Sequence, residues 1–279
     1  MPVVFVLIWS TGFIVARYGM PHAPPMKFLA IRYFLSVACF GLWALAARAA
    51  MPSDRRQVKH LAVTGVLIHA GYLGGVWAAV KLGMGAGLVA LLVGLQPVLT
   101  AIWVSSRGGA VSRRQWTGLT LGFGGLALVV WEKLGVGEIG LLNFLLALGA
   151  LISITVGTLY QKRFVTPCDV RTASLVQLCA AFVVTLPLAL FESEAMRWNG
   201  HLMGALAWSV LVLTLGGSSL LYLLIQRGAA TAVTSLLYLV PPCTAVMAWL
   251  LFGEAITPFT IAGMALAAVG VGLVVRGPK

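Results

Sequence analysis

Charge is what this sequence has least of. Asp and Glu number 7 in 279 residues and Lys and Arg 19, so 9% of the chain is charged and 60% is hydrophobic. Mean hydropathy is +0.99. A water-soluble domain carries about 25% charged residues, so this composition excludes one and leaves a polytopic membrane protein. Cysteine is also sparse. Cys39, Cys179 and Cys243 fall in apolar runs and Cys168 in a basic loop, which excludes a disulfide framework. The four histidines, His22, His60, His69 and His201, are scattered without metal-ligand spacing, so no metal or cofactor is expected. Neither a Ser–His–Asp set nor a zinc-protease motif is present, and an enzyme is not expected. The net charge of +12 would suggest nucleic acid in a soluble protein. Here the basic residues sit in short loops without interleaved aromatics, the pattern of positive-inside topology, and no nucleic-acid partner is expected.

What the sequence does have is a repeat. The stretch from Val93, VGLQPVLTAIWVSSRGGAVSRRQWTGLTLGFGGLALVV, returns from Tyr238 as YLVPPCTAVMAWLLFGEAITPFTIAGMALAAVGVGLVV. A constant offset of 145 without a gap puts Pro97 on Pro242, Gly108 on Gly253, Gly118 on Gly263 and Gly125 on Gly270. The same register carries back to Gly71 on Gly216 and Gly12 on Gly157. A repeat of this kind governs the fold and is sought before other features.

A bilayer-spanning helix needs about 20 mostly apolar residues. Ten spans are expected, near 2–19, 25–47, 58–80, 84–106, 113–131, 138–161, 170–190, 202–226, 229–252 and 258–276. The first is not read as a signal peptide: no small-residue cleavage site follows it, and it matches the sixth span in the repeat. Thirteen basic residues fall on one side of this arrangement, in the loops after spans 2, 4, 6 and 8 and at the C-terminus. Six fall on the other side, with five of the seven acids. The first side is expected to be cytoplasmic, with both termini inside. The repeats would cover 1–134 and 138–279. Five spans per repeat is an odd number, so the second copy enters the membrane from the opposite face. The expected fold is therefore all-α, ten transmembrane helices as two inverted five-helix repeats. Folds of this kind hold substrate at the midplane between repeats and alternate access across it.

The run IWSTGFIVARYG, the PP and AIRY that follow in span 2, the Q-P and P-P of spans 4 and 9, and LFGE closing span 9 resemble the drug/metabolite transporter superfamily. Within it the chain is similar to the ten-helix EamA-type branch, over essentially its whole length, and to the YddG-type amino-acid exporters of that branch. The resemblance implies export of small metabolites, most of all aromatic and other neutral amino acids, across a bacterial inner membrane. Drugs or nucleotide-like metabolites are the alternative cargo. From other classes, a passive channel or a sensor without flux are the competing readings. A monomer is expected, with a dimer the alternative.

Candidate pathway residues are the polar-capable side chains inside spans, which ordinarily face the bundle or a water-filled cavity. Span 3 offers His69, Tyr72 and Trp77, within one arc of about 140°. Span 8 offers Ser218 and Tyr222, the latter at the position equivalent to Trp77. Interhelical hydrogen bonding by His69 and interfacial belting by Trp77 and Tyr222 are the plainer readings. Gln96 in span 4 and Tyr238 in span 9 join them, with Trp9 in span 1 and Tyr160 in span 6, since the resemblance implies that the first helix of each repeat lines the pathway. Pro97, Pro241 and Pro242 are read as structural kinks, with hinging a consequence. Arg17 and Lys162 are read as snorkelling to headgroups. Arg32, about a turn and a half into span 2, would serve a structural pair or attract a substrate carboxylate. Gly118, Gly122 and Gly125, with mates Gly263, Ala267 and Gly270, form a small-residue seam within one chain or between two. No Asp or Glu lies mid-span. A proton-coupled exporter ordinarily carries one, so facilitated diffusion is expected, with His69 the alternative proton carrier.

Overall fold

The computed structural model describes residues 2–106, 112–135, 139–220 and 239–275, and among these all regular structure is helical. Helices α1 (Pro2–Gly19) and α2 (Pro25–Ala46) are followed by α3, a continuous rod built of Arg55–Gly65, a π-helical stretch Val66–Leu73, and Gly74–Lys81. Helix α4 comes in two segments, Ala86–Val93 and Gln96–Ser106. Then come α5 (Arg113–Gly135), α6 (Leu141–Phe164) and α7 (Val170–Phe191). Helix α8 runs as Gly200–Trp208 and a π-helical Ser209–Ser218, α9 covers Val240–Phe252, and α10 covers Pro258–Val275. Among the described residues five helices, α2, α3, α6, α7 and the Gly200–Gly217 part of α8, are long and apolar enough to cross a membrane.

Local chemistry explains the ends. Asp54, Asp169 and Asn199 stand before α3, α7 and α8, and each side chain accepts a first-turn N–H, the usual remedy for unpaired amides at a helix start. The Arg171 guanidinium also bonds the Asp169 carboxylate at 2.6 Å and holds its carboxyl below the usual range. Gly253 ends α9 with φ +67, a left-handed turn that glycine takes without strain.

The expected kink prolines stand near the starts of described helical segments. Pro97 is the second residue of the second α4 segment, after a break at Gly94–Leu95. Pro241 and Pro242 lie in the first turn of α9 as described. Proline suits a first turn because its missing N–H would have no partner there. Pro97 thus lies within a turn of the break in α4, while the residues before Leu239 lie outside the described ones. Pro187 of α7, which drew no notice in the sequence, does lie inside a helix.

Packing follows the repeat. The tightest pair is α5 with α10, and α2 packs on α7 and α4 on α9; each partner is the other's mate at offset 145. Helix α3 packs on α6 and α7, as its mate α8 packs on α1 and α2. Single contacts repeat as well. A Cβ on Gly157 would meet Ile68, and one on Gly12 would meet Leu213; 12 and 157, and 68 and 213, are each 145 apart. Gly125 lies against the Gly263 carbonyl and Gly270 against the Gly118 carbonyl, which is again one contact made twice. Because 118 faces 270 while 125 faces 263, α5 and α10 run antiparallel. The small-residue seam thus closes inside the chain.

Polar contacts gather at the two ends of the bundle. At one end Lys81 bonds Glu194 at 2.7 Å, Glu192 accepts the Met26 and Lys27 N–H groups, and Thr257 donates to Glu132. At the other end Gln57 donates to the Thr166 carbonyl and Thr172 to that of Ala50. Between them lies the apolar core.

Candidate functional site

Two π-helical stretches mark the middle of the bundle. Val66–Leu73 in α3 and Ser209–Ser218 in α8 overlap almost completely under the 145 shift. Such wide turns concentrate at functional sites because they expose carbonyls and re-aim side chains. His69 in the α3 stretch and Thr214 in the α8 stretch occupy one repeat position.

Each of these is engaged from a mated position on another helix. The Gln177 side chain of α7 stands beside His69. Thr214 Oγ1 accepts from both Nε and Nη2 of Arg32 on α2, at 3.3 and 3.2 Å. Positions 32 and 177 are 145 apart, as are 69 and 214. One couple carries a charge and its mate does not. Thr214 passes its own hydrogen to the Ser209 carbonyl at 2.7 Å, five residues back, a bond that the wide turn permits.

Arg32 is 6% exposed. Its Cζ lies 6.0 Å from the centre of the Trp77 ring, which stacks on Phe28 at 4.3 Å. Tyr33, Tyr72 and His69 lie within reach of its field. The Tyr33 hydroxyl donates to the His69 carbonyl at 2.8 Å. Among the described residues no carboxylate pairs with Arg32; the acids described all stand at helix ends or in loops.

The structure brings part of the expected set together. His69 and Tyr72 meet at this polar centre, with Tyr72 5% exposed. Trp77 is 1% exposed and serves as core wall beside the guanidinium rather than as an interfacial belt. Trp9 is half-buried on α1, its ring 5.3 Å from that of Phe5 and in contact with Gly217 of α8. Gln96 donates to the Thr158 hydroxyl of α6 at 3.0 Å, joining the second α4 segment to its neighbour. Tyr160 stands apart, near the α6 C-terminus, where its hydroxyl meets Nδ1 of His60 at 2.7 Å and its ring meets Phe164. The side chain of Ser218, and Tyr222 and Tyr238 entirely, lie outside the described residues.

Sequence reading missed a matching cluster at the other end. Tyr18 of α1 stacks on His201 of α8 at 6.2 Å, and His201 on His22 at 5.9 Å. A recess of about 260 Å³ opens beside them, lined by Val15, Tyr18, Gly200, His201, Gly204, Ala205 and Trp208. Helices α1 and α8 are the mates of α6 and α3, so tyrosine and histidine meet twice, between mated pairs of helices, at opposite ends. Offset alone hides this: Tyr18 is displaced by about one turn from the position that mates with Tyr160, and His201 by one turn from that of His60. Arg17, read as snorkelling, instead approaches Glu254 at 3.8 Å.

Comparison with known proteins agrees in extent with the fold. The model of a family described as the EamA-like transporter family matches residues 2–131 and 141–276. A "Probable amino-acid metabolite efflux pump" of Salmonella typhimurium is 25% identical over 98% of this chain and 92% of its own length. One of the same description from Escherichia coli is 24% identical, covering 98% of this chain and 92% of its own length. An uncharacterized transporter of Bacillus subtilis, YvbV, is 26% identical over 96% of this chain and 88% of its own. A solved crystal structure superimposes with a TM-score of 0.72 at 15% identity, covering 98% of this chain and 94% of the other.

Proposed function

The chain belongs to the EamA-like transporter family, and from that premise we propose that it exports small metabolites, chiefly aromatic and other neutral amino acids, by alternating access. It is a transporter and not an enzyme. Ten spans are proposed, arranged as two inverted repeats in a bacterial inner membrane with both termini cytoplasmic.

The observation that carries this reading is the doubled contact set. Helices α5 and α10 are mates in sequence and run antiparallel, with Gly118–Gly270 and Gly125–Gly263 as the same contact made twice. Mates related by an axis along the membrane normal would run parallel. An axis lying in the membrane plane makes them antiparallel, which supports inversion and, with it, two exchangeable states. The amino-acid cargo is supported by the description of the two efflux relatives. Closure of the seam within the chain supports a monomer.

In this reading the centre formed by His69, Tyr72, Arg32 and Thr214 is where substrate is held. Trp9 and Gln96 border the pathway, joined by Ser218, Tyr222 and Tyr238. Trp77 backs the site. The two tyrosine–histidine clusters stand at its inner and outer ends. Transport is facilitative, because the described acids stand at helix ends or in loops, where protonation has little leverage on a midplane site.

Counterflow in proteoliposomes tests it. Labelled neutral amino acids should exchange saturably with no proton gradient imposed, and should not accumulate above equilibrium when one is applied. Several-fold accumulation that a protonophore collapses would overturn the facilitative mechanism. Flux that does not saturate would mean a channel, and no flux at all would remove transport of this cargo.

A further inference from the structure

Arg32 raises a question of charge rather than of packing. It sits seven residues into α2, about 10 Å below the helix start at 1.5 Å per residue. A buried guanidinium is strongly destabilising unless an anion or a full set of acceptors meets it. Among the described residues Arg32 has one acceptor, the Thr214 hydroxyl, which takes both Nε and Nη2. A guanidinium carries five N–H donors, so most of its capacity is unspent on hydrogen bonds. The Trp77 face at 6.0 Å is attractive to a cation but neutralises no charge.

The repeat supplies an internal control. At the mated positions Gln177 of α7 stands beside His69 of α3, with a neutral amide where α2 carries the guanidinium. Packing at this position is therefore achieved without charge.

The surroundings are short of partners too. Ser36, one turn on along the same face of α2, and Ser209, whose carbonyl receives the Thr214 hydrogen, are both fully buried. Neither hydroxyl has a hydrogen-bond partner among the described residues. Buried hydroxyls are ordinarily satisfied, and each exception asks for a missing group.

We propose that Arg32, with Thr214 beside it, is the anchor for a substrate carboxylate. The proposal rests on the amino-acid reading above and deepens it. A guanidinium and a carboxylate match as planar forks, each bond charge-assisted. The anion neutralises the charge that the fold leaves unpaired. His69 and Tyr72, within reach of the Arg32 field, face the rest of the molecule. Since only one half carries the charge, the carboxylate stays with Arg32 while access changes side.

The test is ligand-induced thermal stabilisation of the purified full-length protein in detergent. The probes are L-phenylalanine, 3-phenylpropionate (carboxylate without amine), phenethylamine (amine without carboxylate) and inorganic phosphate. Wild type should be stabilised by the first two and not by phenethylamine. Arg32→Gln should weaken both carboxylates about tenfold or more, the worth of one charge-assisted hydrogen bond. Arg32→Lys should restore part of that, and Thr214→Val should weaken binding less than Arg32→Gln. Equal stabilisation by phenylalanine and phenethylamine overturns the anchor, as does phenylalanine binding unchanged in Arg32→Gln; in both cases the amino-acid reading stands. Binding of 3-phenylpropionate but not phenylalanine keeps the anchor and removes the amino-acid cargo. Stabilisation by phosphate alone, or by no probe, overturns the carboxylate class. Should Arg32→Gln fail to fold, the wild-type panel with Arg32→Lys decides.

Discussion

Glu254 shows how one side chain can tie one end of the bundle together. Its oxygens accept the Ala86 and Gly87 N–H groups at 3.1 and 3.5 Å, capping α4, and Arg17 of α1 approaches at 3.8 Å. Glu254→Ala strips that cap, and should cost about 0.5–2 kcal/mol, the range for lost N-caps. Glu254→Gln keeps acceptors and should cost less. Thermal unfolding in detergent measures both, and an unchanged midpoint for Glu254→Ala would show that the cap carries no weight. In the sequence, Glu254 was legible only as the end of LFGE. Its partners lie about 168 residues away, and no local pattern announces them. His60 was unreadable for the same reason: a single histidine has no signature until Tyr160 is set beside it. Arg32 was legible as an anomaly, because charge inside an apolar run always needs an explanation. Its neighbours, which bear on the choice between its two readings, left no mark in the sequence.

At the scale of elements, apolar length placed the helices well. Observed bounds fall within a few residues of the expected ones wherever they are described. The π-helical stretches were invisible, since they lie in runs so apolar that a change of period leaves no trace in the pattern. The glycine seam was legible as a stripe of small residues, and its partner helix followed from the structure. Neighbouring glycines give a sharp test of it. A Cβ on Gly125 would strike the backbone of Gly263 and Ala267, and one on Gly270 the backbone of Gly118 and Gly122. Gly124 and Gly272, next to or near them, face open space. Gly125→Ala and Gly270→Ala should each destabilise by about 1–3 kcal/mol, as overpacking does. Gly124→Ala and Gly272→Ala should be neutral or gain up to about 1 kcal/mol from helix propensity. Equal effects at 124 and 125 would mean that the seam does not form.

For the whole molecule, charge was the informative feature of the sequence. Loops separated by more than a hundred residues meet at one end through Lys81, Glu194, Lys27 and Glu192, as the division of acids and bases between two sides implied. A cysteine placed at Glu194 should react with a membrane-impermeant reagent in whole cells, and one at Arg56 should not. The reverse result would invert the topology, and labelling of both would break the count of spans. The paired wide turns have a mechanical consequence. A π-turn closes its hydrogen-bonded ring one residue later than an α-turn, so tightening it rotates everything beyond it about the helix axis. In α3 that would twist the Trp77 end against the Arg55 end without any bend. Helix α8 holds the matching stretch, so twist wound into one rod can be unwound from the other with the count of backbone hydrogen bonds conserved. A bundle built on two such matched stretches would change shape by twisting its rods and not by bending them.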